Sequence, residues 1–201
     1  VSITNTSPKW ETLTKDNKAA DSGPKFSPDG KRLAWRAQTR EGYEADKWDI
    51  VVVDTKPDGT FAGKPESLLP KFDGSANEIT WKDDRTVYFT DDEEGRKTIH
   101  QVALWSLELR HWAGGDPDVL RGSRGSLSVA QNGRIAYLYD RLDSPPEVSA
   151  EYVGSTGAVI VRDVSGANEA FLAQLDRPLR EAVEVPVEGD VKMHIWMTYG
   201  C

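Results

Sequence analysis

Phe26-Ser27-Pro28-Asp29-Gly30-Lys31-Arg32-Leu33-Ala34-Trp35 reads as an apolar residue, a tight turn and then an alternating strand. The Asp-Gly pair supplies the positive φ that a short hairpin loop requires. The plan recurs at Trp81-Lys82-Asp83-Asp84-Arg85-Thr86-Val87-Tyr88-Phe89, where Asp83-Asp84 is a weaker turn signal, and again at Val129-Ala130-Gln131-Asn132-Gly133-Arg134-Ile135-Ala136-Tyr137-Leu138. Phe26, Trp81 and Val129 stand 55 and 48 residues apart. That spacing lies close to the ~40–50-residue period of β-propeller blades.

Working outward, Asp49–Asp54 is short and β-branched, which suits a buried strand. Thr98–Ser106 and Ala158–Asp163 occupy the same place in later units, and Asp54–Thr60 turns the chain back. Only Asn168–Leu175 reads as a helical turn or two. The expectation is an all-β chain of about four four-stranded antiparallel blades. An arc of a larger propeller fits better than a closed four-bladed one, because both ends look interrupted rather than capped. The blades are expected over residues 1–176, with residues 177–201 leading out of them.

Composition narrows the partners. Of 201 residues, 38% are hydrophobic and 29% charged, and the net charge is −8. That sign argues against a nucleic-acid partner, which calls for a basic surface. No apolar run approaches the ~20 residues needed to cross a bilayer, so no membrane partner is expected. Val1 opens a polar segment rather than a signal peptide, and the missing initiator Met points to a processed or excised chain. A soluble protein of bacterial cytoplasm or periplasm is expected, with the compartment left open. Cys201 is the single cysteine, which leaves no internal disulfide and no cysteine metal cluster. Asn5-Thr6-Ser7 fits a glycosylation sequon, a pattern short enough to arise by chance.

Two features carry a resemblance. Asn17–Lys31 looks like a blade entry, and it continues through Ala34-Trp35-Arg36-Ala37-Gln38 into Arg40-Glu41-Gly42-Tyr43-Glu44-Ala45-Asp46-Lys47-Trp48. Together they resemble the prolyl oligopeptidase family, in its bacterial dipeptidyl-peptidase and acylaminoacyl-peptidase branch. Asp143-Ser144-Pro145-Pro146-Glu147-Val148 is similar to that family's segment between strands of a late blade. Leu179–Pro186 and Val191–Met197 are similar to the return from the last blade into the first strand of an α/β-hydrolase domain. The resemblance runs from about Asn17 to Trp196 and implies the C-terminal part of the propeller. It implies that the α/β-hydrolase domain is missing here, by truncation or excision, and that the intact relative is a serine peptidase.

The peptidase machinery itself is not expected in this chain. No G-x-S-x-G elbow is present; Gly122-Ser123-Arg124-Gly125-Ser126 and Gly154-Ser155-Thr156-Gly157 have the wrong spacing and read as loops. A triad also needs a histidine base. His100 and His194 fall in expected strands and His111 in a tryptophan-flanked connection, all read as structural. Asp83-Asp84 and Asp91-Asp92-Glu93-Glu94 lack calcium-loop spacing and read as solvated turn tips. Neither a metal nor another cofactor is expected. The seven tryptophans read mostly as blade packing.

The functional expectation rests on residues 40–48. A dipeptidyl peptidase holds the free amino terminus of its substrate, and a carboxylate is the natural partner of an ammonium group. Arg40, Tyr43, Glu44, Asp46 and Trp48 are therefore the candidate substrate-binding residues, on an insertion that the resemblance turns toward the catalytic chamber. The competing expectation is that Arg40, Glu44 and Asp46 pair among themselves and pin the loop over buried aromatics. A gating and positioning wall for peptide substrate is the first functional reading. A stand-alone TolB-like propeller binding protein or peptide is the alternative, and a carboxylate-based glycosidase stands third. Exposed terminal edges also lead us to expect self-association.

Overall fold

The computed structural model describes residues 11–112, 122–153 and 159–200. Three antiparallel four-stranded sheets succeed one another along the chain, each with its strands neighbouring in sequence order. The first holds β1 (Asp21–Phe26), β2 (Arg32–Ala37), β3 (Asp49–Asp54) and β4 (Glu66–Ser67). The second holds β5 (Ile79–Asp83), β6 (Thr86–Glu93), β7 (Arg96–Ala103) and β8 (Leu109–Trp112). The third holds β9 (Ser123–Val129), β10 (Ile135–Arg141), β11 (Ser144–Val153) and β12 (Val159–Asp163). A helical turn α1 (Glu169–Leu172) follows. The antiparallel hairpin of β13 (Leu179–Pro186) and β14 (Lys192–Tyr199) then forms a sheet of its own. The expected units of about four correspond, among the described residues, to three full blades and this two-stranded sheet.

The repeated turns form for the reason their sequences gave. Gly30 and Gly133 adopt φ of 71° and 79°, a region open to glycine without steric strain. The Asp29 carboxylate fixes the first turn by accepting hydrogen bonds from Ser27 Oγ (2.7 Å) and Lys31 N (3.0 Å). Asn132 does the same for the third blade through Arg134 N (3.2 Å).

β6 is buried on both faces, and its alternation divides the core. Val87 and Phe89 join Ala34, Ile50, Leu68 and Trp81 between the first two blades. Tyr88, on the other face, joins Ile99, Ile135 and Tyr137 between the second and third. Polar contacts lock the first of these seams. Trp81 Nε1 donates to Lys25 O (2.9 Å), and Asp29 N to Asp84 Oδ1 (2.9 Å).

Four local expectations need correction. Gly122-Ser123-Arg124-Gly125-Ser126 is not a loop, because Ser123 opens β9; a bulge lets the strand pass Ser126, whose φ is 56°. Asp143–Val148 lies mostly within β11, since Pro145 and Pro146 fall where the β10–β11 register slips and no ladder amide is needed. Ala158–Asp163 accordingly overlaps the fourth strand of its blade rather than the third. His111 belongs to β8, opposite His100 of β7, and not to a connection. Gly154–Gly157, Asn5–Ser7 and Cys201 lie outside the described residues.

Candidate functional site

Strands alternate in direction, so the β2–β3, β6–β7 and β10–β11 connections all emerge at one end of the blades. In the second and third blades they are the two-residue turns Glu94-Gly95 and Leu142-Asp143; in the first, residues 38–48 form a long loop. The loop is built on its own backbone. Buried Gln38 donates from Nε2 to Glu44 O (3.1 Å) and Asp46 O (2.7 Å). Asp46 Oδ2 accepts from Thr39 N (2.9 Å), Arg40 N (2.8 Å) and Thr39 Oγ1 (3.2 Å). These backbone donors, Thr39 foremost, hold the Asp46 carboxyl below its ordinary pKa.

The remaining candidates divide. The Arg40 guanidinium lies 3.9 Å from the centroid of the Tyr43 ring, and Tyr43 is exposed. Glu44 is exposed, and among the described residues its carboxylate takes part in no hydrogen bond or ion pair. Trp48 sits apart at the base, half-buried beneath the Arg36 guanidinium (4.9 Å), with its backbone N–H donating to Ser75 Oγ (3.0 Å). The loop thus brings Arg40, Tyr43, Glu44 and Asp46 together. Asp46 turns inward to the backbone, Glu44 turns outward, and the pinning runs through amides rather than an Arg40–carboxylate pair.

Sequence reasoning missed the floor beside this loop. Arg36, Lys25, Asn77, Glu78 and Leu127 line a cavity of about 350 Å³ along the inner strands. Arg36 is held by Ser22 Oγ (3.1 Å) and Ala76 O (3.4 Å). The β9 bulge presents two successive amides, Ser126 N and Leu127 N, and Glu78 accepts both (3.1 and 3.0 Å). A charged residue at an inward position of β2 was the available signal for Arg36.

The acidic and histidine residues also find their places. Asp91 is buried rather than a solvated tip: its Oδ1 accepts from Ser75 N (2.9 Å), and burial raises its pKa. His100 is buried and stacks on Phe89 (5.2 Å), with Nε2 3.1 Å from Thr98 Oγ1. His194, on the hairpin, stands 3.8 Å from Glu94 and 3.9 Å from Glu184. Among the described residues no group of three or more His, Cys, Asp or Glu is placed to hold a metal, and no helix is long and apolar enough to cross a membrane.

Comparison with known proteins follows the same lines. No family model matches the sequence. Over 114 residues the chain is 31% identical to Dipeptidyl-peptidase 5 of Porphyromonas gingivalis, a stretch that is 56% of this chain and 16% of that protein. The β-propeller domain of the Trilobed protease from Pyrococcus furiosus, which has an open velcro topology, superimposes with a TM-score of 0.52 at 20% identity, over 73% of this chain and 38% of that one. A puromycin-hydrolyzing peptidase of Mycobacterium tuberculosis gives 0.50 at 17% identity, over 88% and 33%. The structural likenesses show the β-propeller fold. With the sequence match, they bear out the resemblance to the prolyl oligopeptidase family, at the level of its propeller.

Proposed function

We propose that these blades are the substrate-admitting wall of a prolyl-oligopeptidase-type serine peptidase, and that the β2–β3 loop holds the amino terminus of the peptide. In this reading residues 177–201 lead toward an α/β-hydrolase domain that supplies the nucleophile and base. The observation that carries it is the division of labour between two carboxylates. Asp46 is engaged through Oδ2 in shaping the loop, while Glu44 stands exposed two residues away with its oxygens uncommitted. A carboxylate held at a fixed place, free of internal partners, suits the capture of an ammonium group. Tyr43, rigidified by Arg40 against its ring, offers a flat wall for the first side chain.

The test is Glu44→Gln in the intact peptidase, assayed on aminoacyl-arylamides with free and with acetylated amino termini. Loss of a charge-assisted contact lowers kcat/KM on the free substrates about tenfold to hundredfold. The acetylated substrates are expected to change little. An equal loss on both would remove Glu44 from amino-terminal recognition.

A further inference from the structure

At the opposite end of the first two blades lies a separate groove of about 650 Å³. Its floor is apolar, built from Val52 and Leu68 of the first blade and Leu104 of the β7–β8 turn. Trp105 and Leu107 rise from that turn at the rim, 78% and 44% exposed. A tryptophan that exposed contributes little to blade packing, unlike Trp35 and Trp81, which are buried. Large aromatic side chains at the edge of an apolar groove are the usual anchors of recognition surfaces.

Two further features specify the occupant. β4 is the outer strand of its blade, and among the described residues no strand pairs with its outer side. An extended segment can add to such an edge through main-chain hydrogen bonds, leaving alternate side chains to fill the groove. The charges then select the sequence. Arg32 is engaged by Asp54 (2.9 Å) and by Asp84 O (2.9 Å). Lys64 and Arg85 also line the groove, both exposed, and neither pairs with a carboxylate among the described residues. Glu66 is the one acidic side chain of the groove outside the Arg32–Asp54 pair. On a chain of net charge −8 this leaves a local excess of positive charge.

We infer that this groove binds an extended acidic peptide segment, which adds to the β4 edge, lays an apolar side chain against Trp105 and places carboxylates on Lys64 and Arg85. The site is remote from the Glu44 loop and does not depend on peptidase activity.

The experiment is fluorescence anisotropy on the full chain with a fluorescein-labelled peptide of alternating Phe and Glu, and the matching Phe–Lys peptide beside it. Saturable binding of the Phe–Glu peptide is expected. Trp105→Ala and, separately, the pair Lys64→Glu with Arg85→Glu each weaken it about tenfold or more, as for an interface anchor. Glu44→Gln leaves the affinity unchanged. All four substituted positions are exposed, and circular dichroism checks that each variant keeps its strand signal. Absence of saturation, equal binding of the Phe–Lys peptide, or unchanged affinity in both groove variants would overturn the inference. So would a dimer seen in sedimentation that Trp105→Ala dissociates while the peptide fails to bind, which would make the occupant a second copy.

Discussion

The two seams between blades are built from different materials. Between the first and second blades the contact is an apolar cluster, with Ala34, Ile50, Val87 and Phe89 all fully buried. Between the second and third, a small aromatic and aliphatic cluster adjoins, through Tyr137, a buried charged network that lies within the third blade. Arg124 and Glu151, 1% and 0% exposed, approach to 3.8 Å. The Tyr137 hydroxyl donates to Glu151, and the Arg124 guanidinium lies over the Tyr137 and Tyr139 rings at 5.7 and 5.2 Å. Burial, reinforced by Glu151, pushes the Tyr137 phenol well above its ordinary range, which keeps it a donor. An apolar seam tolerates side chains of similar volume, whereas a buried charge network stands or falls with its partners.

The largest effect is therefore expected at the second seam. Glu151→Ala leaves Arg124 without its carboxylate and should destabilise the fold by about 3–5 kcal/mol, read as a shift in urea unfolding. Replacing both ends, Arg124→Met with Glu151→Leu, should recover most of that loss, because it removes the uncompensated charge as well. A double variant as unstable as the single one would mean that packing, not charge, governs the seam. At the first seam the response should be graded. Ile50→Val removes one methylene from a fully buried site and should cost about 0.5–1.5 kcal/mol. A loss matching that of Glu151→Ala would erase the contrast between the seams.

This contrast also marks what the amino-acid pattern discloses. The turns at Asp29-Gly30 and Asn132-Gly133 were legible because a local backbone demand selects the residue type. β9 was not, since its Gly and Ser content signals a loop, and only the bulge that serves Glu78 makes those residues useful in a strand. Pro145-Pro146 hid the start of β11 for a similar reason: prolines are excluded from regular ladders but allowed where the register slips. Contacts across the seams, such as Asp29 with Asp84 or Glu78 with Ser126 and Leu127, join residues brought together only by the fold. At the β2–β3 loop the insertion was visible in sequence. The opposite directions of Glu44 and Asp46 were not, because they follow from which backbone amides converge beneath the loop.

The smallest effect concerns two carboxylates whose surroundings act in opposite senses. Glu147 of the third blade accepts from Ser165 Oγ, from Ala167 N (3.1 Å) and from Asn168 N (2.7 Å), just ahead of α1. Those donors, Ser165 first, draw its pKa down to about 2. Its folded value lies below its unfolded one, so its contribution is present above the ordinary glutamate range and is lost as pH falls toward 2. Asp91, beside the first seam, is shifted upward by burial despite its bond from Ser75 N. A raised carboxyl behaves in reverse: its contribution is present at low pH and is lost as pH rises through the folded value. Carboxyl-carbon NMR during acidification from pH 7 should thus show Asp91 protonating first, above the ordinary aspartate range. Glu147 should stay ionised, with the Ala167 and Asn168 amide shifts unchanged, until the pH nears 2. The reverse order would mean that hydrogen bonds rather than desolvation set the charge beside the apolar seam, and the two seams would then differ less in electrostatics than their packing implies.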